Sequence, residues 1–132
     1  MSTIVPFRIP RPNARIRLFC LPFAGAGANV YRAWTQRFAA TIDVCPVELP
    51  GHGVRNRERL VPDMATLTTT LLADLAPLLD LPIAFFGHSM GAKLAFELAK
   101  QLGARVAHLF VSAATAPDIA ALDPISHLPY DG

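Results

Sequence analysis

Four consecutive apolar residues, Ile83-Ala84-Phe85-Phe86, run without a break into Gly87-His88-Ser89-Met90-Gly91, and a helical pattern begins at once behind them. Leu94, Leu98 and Leu102 then share one face of a helix spanning Met90–Leu102, with Gly103 as its stop. A strand, a tight turn and a helix in immediate succession permit few folds. The same alternation runs upstream. Arg15–Leu21 reads as a strand halted by Pro22. Val30, Trp34 and Phe38 recur at i, i+4, i+8 and predict an amphipathic helix that Asn29 can cap. Thr41–Leu49 reads as the next strand, closed by Pro50-Gly51-His52-Gly53 and a charged loop over 54–61. Pro62 suits the first turn of a helix carrying Met64, Leu67, Leu71, Leu75 and Leu78, which Pro77 kinks or ends. Val106–Val111 is a last apolar strand. The proline-bearing segments 1–14 and 113–132 read as an irregular lead-in and a loop-like or only briefly helical tail. Strands alternating with helices predict an α/β architecture, a parallel sheet with crossover helices. Ligands sit at the carboxyl ends of the strands in such sheets, and three glycine-containing loops follow strands here.

Hydrophobic residues make up 52% of the 132 positions before glycine is counted. An average soluble domain reaches roughly 45–50% with glycine included. The surplus suits a sheet buried on both faces and excludes a disordered chain. No internal period is visible, so repeat architectures are excluded too. The length fits one domain, residues 1–132, and excludes a complete two-domain enzyme or eight-stranded barrel. Twelve basic and ten acidic residues give a net charge of +2, too balanced to argue for nucleic acid or a membrane surface. Two arginine groups, Arg8/Arg11/Arg15/Arg17 and Arg55/Arg57/Arg59, read as solvated surface, with an acidic partner as the alternative. Cys20 and Cys45 lie in apolar runs without metal spacing and read as reduced structural thiols. With no signal peptide and no membrane-length apolar stretch, a cytoplasmic protein is expected.

The chemistry centres on Ser89. A serine in a tight strand-to-helix turn, with glycines two positions to either side, has the form of a nucleophile elbow. The hydroxyl is presented to the cleft, and the helix N-terminus behind it supplies partial positive charge where an oxyanion would form. An oxyanion hole needs two donors. One is the backbone N–H of Met90; the other is expected from the loop Pro22–Ala28, at Ala24 in preference to Phe23. His88, next to Ser89 on the turn, should point its ring away from the hydroxyl and is read as structural. His52 is read as structural too, although its turn lies at the same sheet edge.

Together the motifs resemble the type II thioesterases of nonribosomal-peptide and polyketide synthesis, a branch of the α/β-hydrolases. The matching residues are Leu21-Pro22-Phe23-Ala24-Gly25-Ala26-Gly27, Tyr31 and Trp34, Leu49-Pro50-Gly51-His52-Gly53, Phe85-Phe86-Gly87-His88-Ser89-Met90-Gly91-Ala92 and Ile125-Ser126-His127-Leu128-Pro129. They run in the family's order across about residues 15–130. The resemblance implies an α/β-hydrolase fold and a serine hydrolase of acyl thioesters carried on the phosphopantetheine arm of a carrier protein. It implies no cofactor or metal on this chain.

The resemblance also carries an expected departure. The fold delivers its triad in the order serine, acid, histidine. The family places acid and histidine downstream of the region that this tail resembles. After Ser89 only His108 and His127 occur, with Asp118 and Asp123 as nominal acids. His108 falls mid-strand, where its ring should pack on a crossover helix. None is assigned as a triad member. The chain is thus expected to be the N-terminal portion of the fold, almost inactive alone because a serine hydroxyl is a weak nucleophile without a base. Its last strand should form an exposed edge prone to association. The alternative readings are another serine α/β-hydrolase such as an esterase, and a non-catalytic carrier-protein-binding module.

Overall fold

A computed structural model describes residues 3–112. Four strands form one parallel sheet: β1 (Ile16–Leu21), β2 (Ile42–Pro46), β3 (Ile83–His88) and β4 (Val106–Ser112), in the order β2-β1-β3-β4. Two α-helices, α1 (Met64–Leu75) and α2 (Met90–Leu102), pack on one face, and a 3₁₀ helix over Ala28–Gln36 packs on the other. The period-2 alternation of each strand feeds both layers. Phe19, Leu21 and Phe85 meet Leu71, Leu75, Leu94 and Leu98. Leu18, Cys20 and Phe86 meet Tyr31 and Trp34. Trp34 lies 5.0 Å from Phe86 and 4.9 Å from Tyr31 between ring centroids.

The first helix departs from the expected stripe. Its buried hydrophobic positions are Ala28, Tyr31 and Trp34, every third residue, which matches three residues per turn rather than 3.6, and Thr35 is buried beside them. Val30 is exposed, Phe38 is half-buried, and the cap position belongs to Gly27 rather than Asn29. α1 starts after Pro62, not on it. Asp63 is the cap and accepts the Thr66 N–H at 2.7 Å. The β2 ladder ends at Pro46, three residues before Leu49. The chain stays extended there, with the Val47 N–H donating to Cys20 and the Glu48 N–H to Ile4.

Residues 3–14 form no strand or helix, yet Ile4 and Val5 are buried in the core beside β2. The two arginine groups are likewise not simple solvated surface. Arg17 is 9% and Arg55 7% exposed. Arg8 and Arg17 pair with the fully buried Asp43, at 2.8 and 3.0 Å, and Arg17 also meets Asp80. Arg55 holds Glu58 and Asp74, which ties the loop after β2 to α1. Cys20 and Cys45 are free and belong to opposite faces of the sheet, and burial pushes both thiols up from the ordinary range.

β4 is, as expected, an edge strand of the sheet among the described residues, with β2 at the opposite edge, and Val111 is 56% exposed. A register irregularity separates the partners of Ile83 and Ala84. His108 does not pack on a crossover helix. It is exposed and stacks on Phe110, on the face whose 3₁₀ helix covers Phe86. No helix of the described residues is long and apolar enough to cross a membrane.

Candidate active site

Strand order fixes where a cleft can form. The chain leaves β1 toward one face of the sheet and β3 toward the other, so their outgoing connections diverge. A crevice opens at such a switch point, outside the carboxyl ends of the strands. Leu21 pairs with Gly87 across those two ends, so the loop Pro22–Ala28 and the turn at Ser89 lie side by side.

Ser89 has φ +59° and ψ −118° and is the only non-glycine residue with positive φ among the described residues. Such backbone costs about 1–3 kcal/mol and persists only where its surroundings enforce it. The surroundings here are Gly87 and Gly91. A Cβ on Gly87 would strike the Gly91 carbonyl, and one on Gly91 would strike the carbonyls of Leu21 and Pro22. Strand β3 therefore meets α2, and α2 meets β1, at distances only glycine allows. The Ser89 N–H donates to the Ser112 carbonyl at 3.0 Å, so the last residue of β4 braces the turn. The Ser89 carbonyl accepts from Ala92 and Lys93.

Met90 is the first residue of α2, where backbone N–H groups have no intrahelical acceptor. Across the crevice, the β1 loop turns through Gly25 at φ +79°, closed by the Ala26 N–H donating to Phe23 at 3.0 Å. That bond leaves the amides of Phe23 and Ala24 outside it, and both residues are exposed. The Tyr31 hydroxyl donates to the Leu21 carbonyl at 2.9 Å and holds the loop's base against the 3₁₀ helix. Desolvation raises the Tyr31 pKa, so this donor keeps its proton.

The histidines next to these loops have other partners. His88 Nδ1 shares a 2.8 Å hydrogen bond with the Ser112 hydroxyl, and its ring stands edge-on to Phe23 at 6.1 Å. His52 Nδ1 lies 3.2 Å from the Pro50 carbonyl, an acceptor only, so this nitrogen donates. His52 also lines a pocket of about 190 Å³ beside the start of α2, whose apolar walls include Leu49, Val61, Met64, Leu67 and Met90. Asp118, Asp123 and His127 lie outside the described residues. Among the described residues no group of His, Cys, Asp or Glu could hold a metal ion.

Two residues near the crevice escaped sequence reasoning. Ser112 ends an apolar strand without any motif. Glu48 is 1% exposed, and its carboxylate accepts the Ala28 N–H at 2.8 Å and the Val54 N–H at 3.2 Å. The available signal was a lone carboxylate in Cys45-Pro46-Val47-Glu48-Leu49-Pro50, an otherwise unbroken apolar run.

Comparison with known proteins places this arrangement among relatives. The thioesterase domain family matches residues 16–128. The gramicidin S biosynthesis protein GrsT of Aneurinibacillus migulanus is 38% identical over 119 residues, 87% of this chain and 46% of that protein. The thioesterase RedJ from the prodiginine pathway of Streptomyces coelicolor superposes with a TM-score of 0.71 at 39% identity, covering 83% of this chain and 43% of RedJ. The type II thioesterase BorB from the borrelidin cluster superposes at 0.69 with 34% identity, covering 87% and 53%. The chain thus spans about half the length of these relatives.

Proposed function

The chain belongs to the thioesterase family, and from that premise we propose that it is the nucleophile-bearing part of an enzyme hydrolysing acyl thioesters on phosphopantetheine carrier proteins in nonribosomal-peptide and polyketide synthesis. The observation that carries the reading is the strained Ser89 held between Gly87 and Gly91 at the β1/β3 crevice. In this reading the Ser89 hydroxyl adds to the thioester carbonyl. Its proton passes to a histidine base, and the carbonyl oxygen becomes an oxyanion held by the N–H groups of Met90 and Ala24. The carbon–sulfur bond breaks, and the pantetheine thiol leaves with the proton. Water, deprotonated by the same base, then cleaves the acyl–serine ester and restores the hydroxyl.

The apolar pocket beside Met90 supports an acyl group as the non-reacting end of the substrate. The exposed β4 edge is the surface through which this chain would associate. Among the described residues no histidine is hydrogen-bonded to the Ser89 hydroxyl: His88 Nδ1 bonds the Ser112 hydroxyl, His52 Nδ1 the Pro50 carbonyl, and His108 stacks on Phe110. On the resemblance to the family, whose acid and histidine lie downstream of the region that this tail resembles, the 132-residue chain is expected to turn over almost no substrate alone. The test is incubation with an acyl-pantetheine thioester, with mass spectrometry of the Ser89 peptide and assay of released acid. Slow acylation at Ser89 with negligible turnover is the expected result. Turnover comparable to a complete thioesterase overturns the missing base, and acylation elsewhere overturns Ser89.

A further inference from the structure

Glu48 occupies an unusual place: a carboxylate buried between the two loops that flank the crevice on the β1 and β2 side. Oε1 accepts the N–H of Ala28, the first residue of the 3₁₀ helix that ends the β1 loop. Oε2 accepts the N–H of Val54, in the short helical turn after Pro50-Gly51-His52. Both loops are shaped around this side chain. A Cβ on Gly27 would come within 2.7 Å of Oε1, and one on Gly53 would strike Oε2. Arg55 passes close by, but its guanidinium bonds the backbone carbonyl of Glu48, not the carboxylate. Among the described residues the carboxylate takes part in no ion pair. Its two oxygens face backbone N–H groups on two separate loops.

Two inward-facing N–H groups on separate loops require two acceptors and tolerate no donor. Among side chains of this size only a carboxylate supplies that pair, since an amide presents one oxygen and one NH₂. We propose that Glu48 is a positioning residue, which fixes the β1 loop at the height where the Ala24 N–H meets the oxyanion and locks it to the His52 loop. The inference rests on the reading of Ser89 and Ala24 given above. The mechanism is geometric. The loop from Pro22 to Gly27 is anchored at its base by Tyr31 on the Leu21 carbonyl and at its far end by Glu48 on Ala28. Between the anchors its described backbone hydrogen bond is Ala26 to Phe23. Releasing the far anchor lets the donor shift relative to Ser89, and displacements of about 1 Å at such sites cost roughly 10²-fold in rate.

The experiment uses the full-length protein that carries this chain, with Glu48→Gln, Gly27→Ala and Ser89→Ala. Gln keeps volume and one acceptor but turns a donor toward the second N–H. Gly27 has φ −108°, which alanine adopts freely, so Gly27→Ala acts only by pressing on the carboxylate. With an acyl-pantetheine thioester, kcat is expected to fall about 10–100-fold in both variants, while KM changes less than about threefold. An alkylboronic acid, which forms a tetrahedral adduct on serine, should lose affinity by the same factor as kcat. A merely structural Glu48 would not link those two readouts. Wild-type kcat in both variants, or kcat loss without loss of boronate affinity, overturns the inference while a dead Ser89→Ala leaves the functional reading standing. An active Ser89→Ala overturns both.

Discussion

Where the strands of the sheet begin, charge is buried and paired; where they finish, the backbone is strained and glycines mark contacts one atom deep. At the first end Asp43 is fully buried between Arg8 and Arg17, and Arg17 reaches on to Asp80. At the second, Ser89 stands at positive φ, and Gly87 and Gly91 allow β3, α2 and β1 to touch backbone to backbone. The two ends share the same strands, only five to seven residues long. The contrast teaches a division of labour: the ion pairs that join β1 and the lead-in to β2 lie at one end, and the strained backbone lies at the end where chemistry is proposed.

The sharpest break of that contrast is Ser89→Ala in the full-length protein, expected to lower thioester hydrolysis by more than about 10⁴-fold. Urea unfolding of the same variant should be nearly unchanged, since alanine inherits the backbone. Next comes Asp43→Asn at the opposite end. Two arginines would then face a neutral amide, and urea unfolding should report a loss of about 3 kcal/mol with kcat/KM within about twofold of wild type. Activity loss matching that of a site variant would erase the division. Ser89→Gly is smaller: glycine accepts φ +59° without penalty, and stability should rise by about 1 kcal/mol as activity disappears. An unchanged urea midpoint would show that the turn stores no strain.

The smallest effect concerns pH. The Thr66 backbone N–H, and then its hydroxyl, hold the Asp63 carboxyl below the usual aspartate range. Since the folded value lies below the unfolded one, the cap's contribution is fully present above the ordinary aspartate range. It fades as pH falls through the folded value. Asp63→Asn, with an amide oxygen that still caps, should match wild type at neutral pH and show a flatter acid limb in thermal unfolding. Identical acid limbs would remove the carboxylate from the account.

Sequence pattern carried the parallel sheet and both α-helices because their periodicity is a direct projection of burial. β3 and α2 meet at Ser89, and the elbow was legible since its glycines answer to atoms within five residues or on the neighbouring strand. The 3₁₀ helix was misread because Val30, Trp34 and Phe38 imitate a 3.6 period, while the burial of Tyr31 depends on Phe86, about 55 residues away. Arg8, Arg17 and Arg55 were misread for a similar reason, while Arg15, Arg57 and Arg59 are exposed as expected. Asp43, Asp74 and Asp80 are remote in sequence from the arginines they meet, and nothing local marks a cation that will be buried. Glu48 was missed because its partners are backbone N–H groups, to which composition and spacing are blind.

Gly27 and Gly53 both face the Glu48 carboxylate, yet they are constrained in different ways. Gly53 has φ +49° and would resist replacement even with the carboxylate gone. Gly27, at φ −108°, is glycine only because of what stands opposite. Its identity is therefore conditional: shorten residue 48 and position 27 becomes an ordinary site open to a side chain. Neither order of change is neutral. A chain altering position 27 first presses on the carboxylate, and one altering position 48 first strands two amides, so each change is felt at the other position.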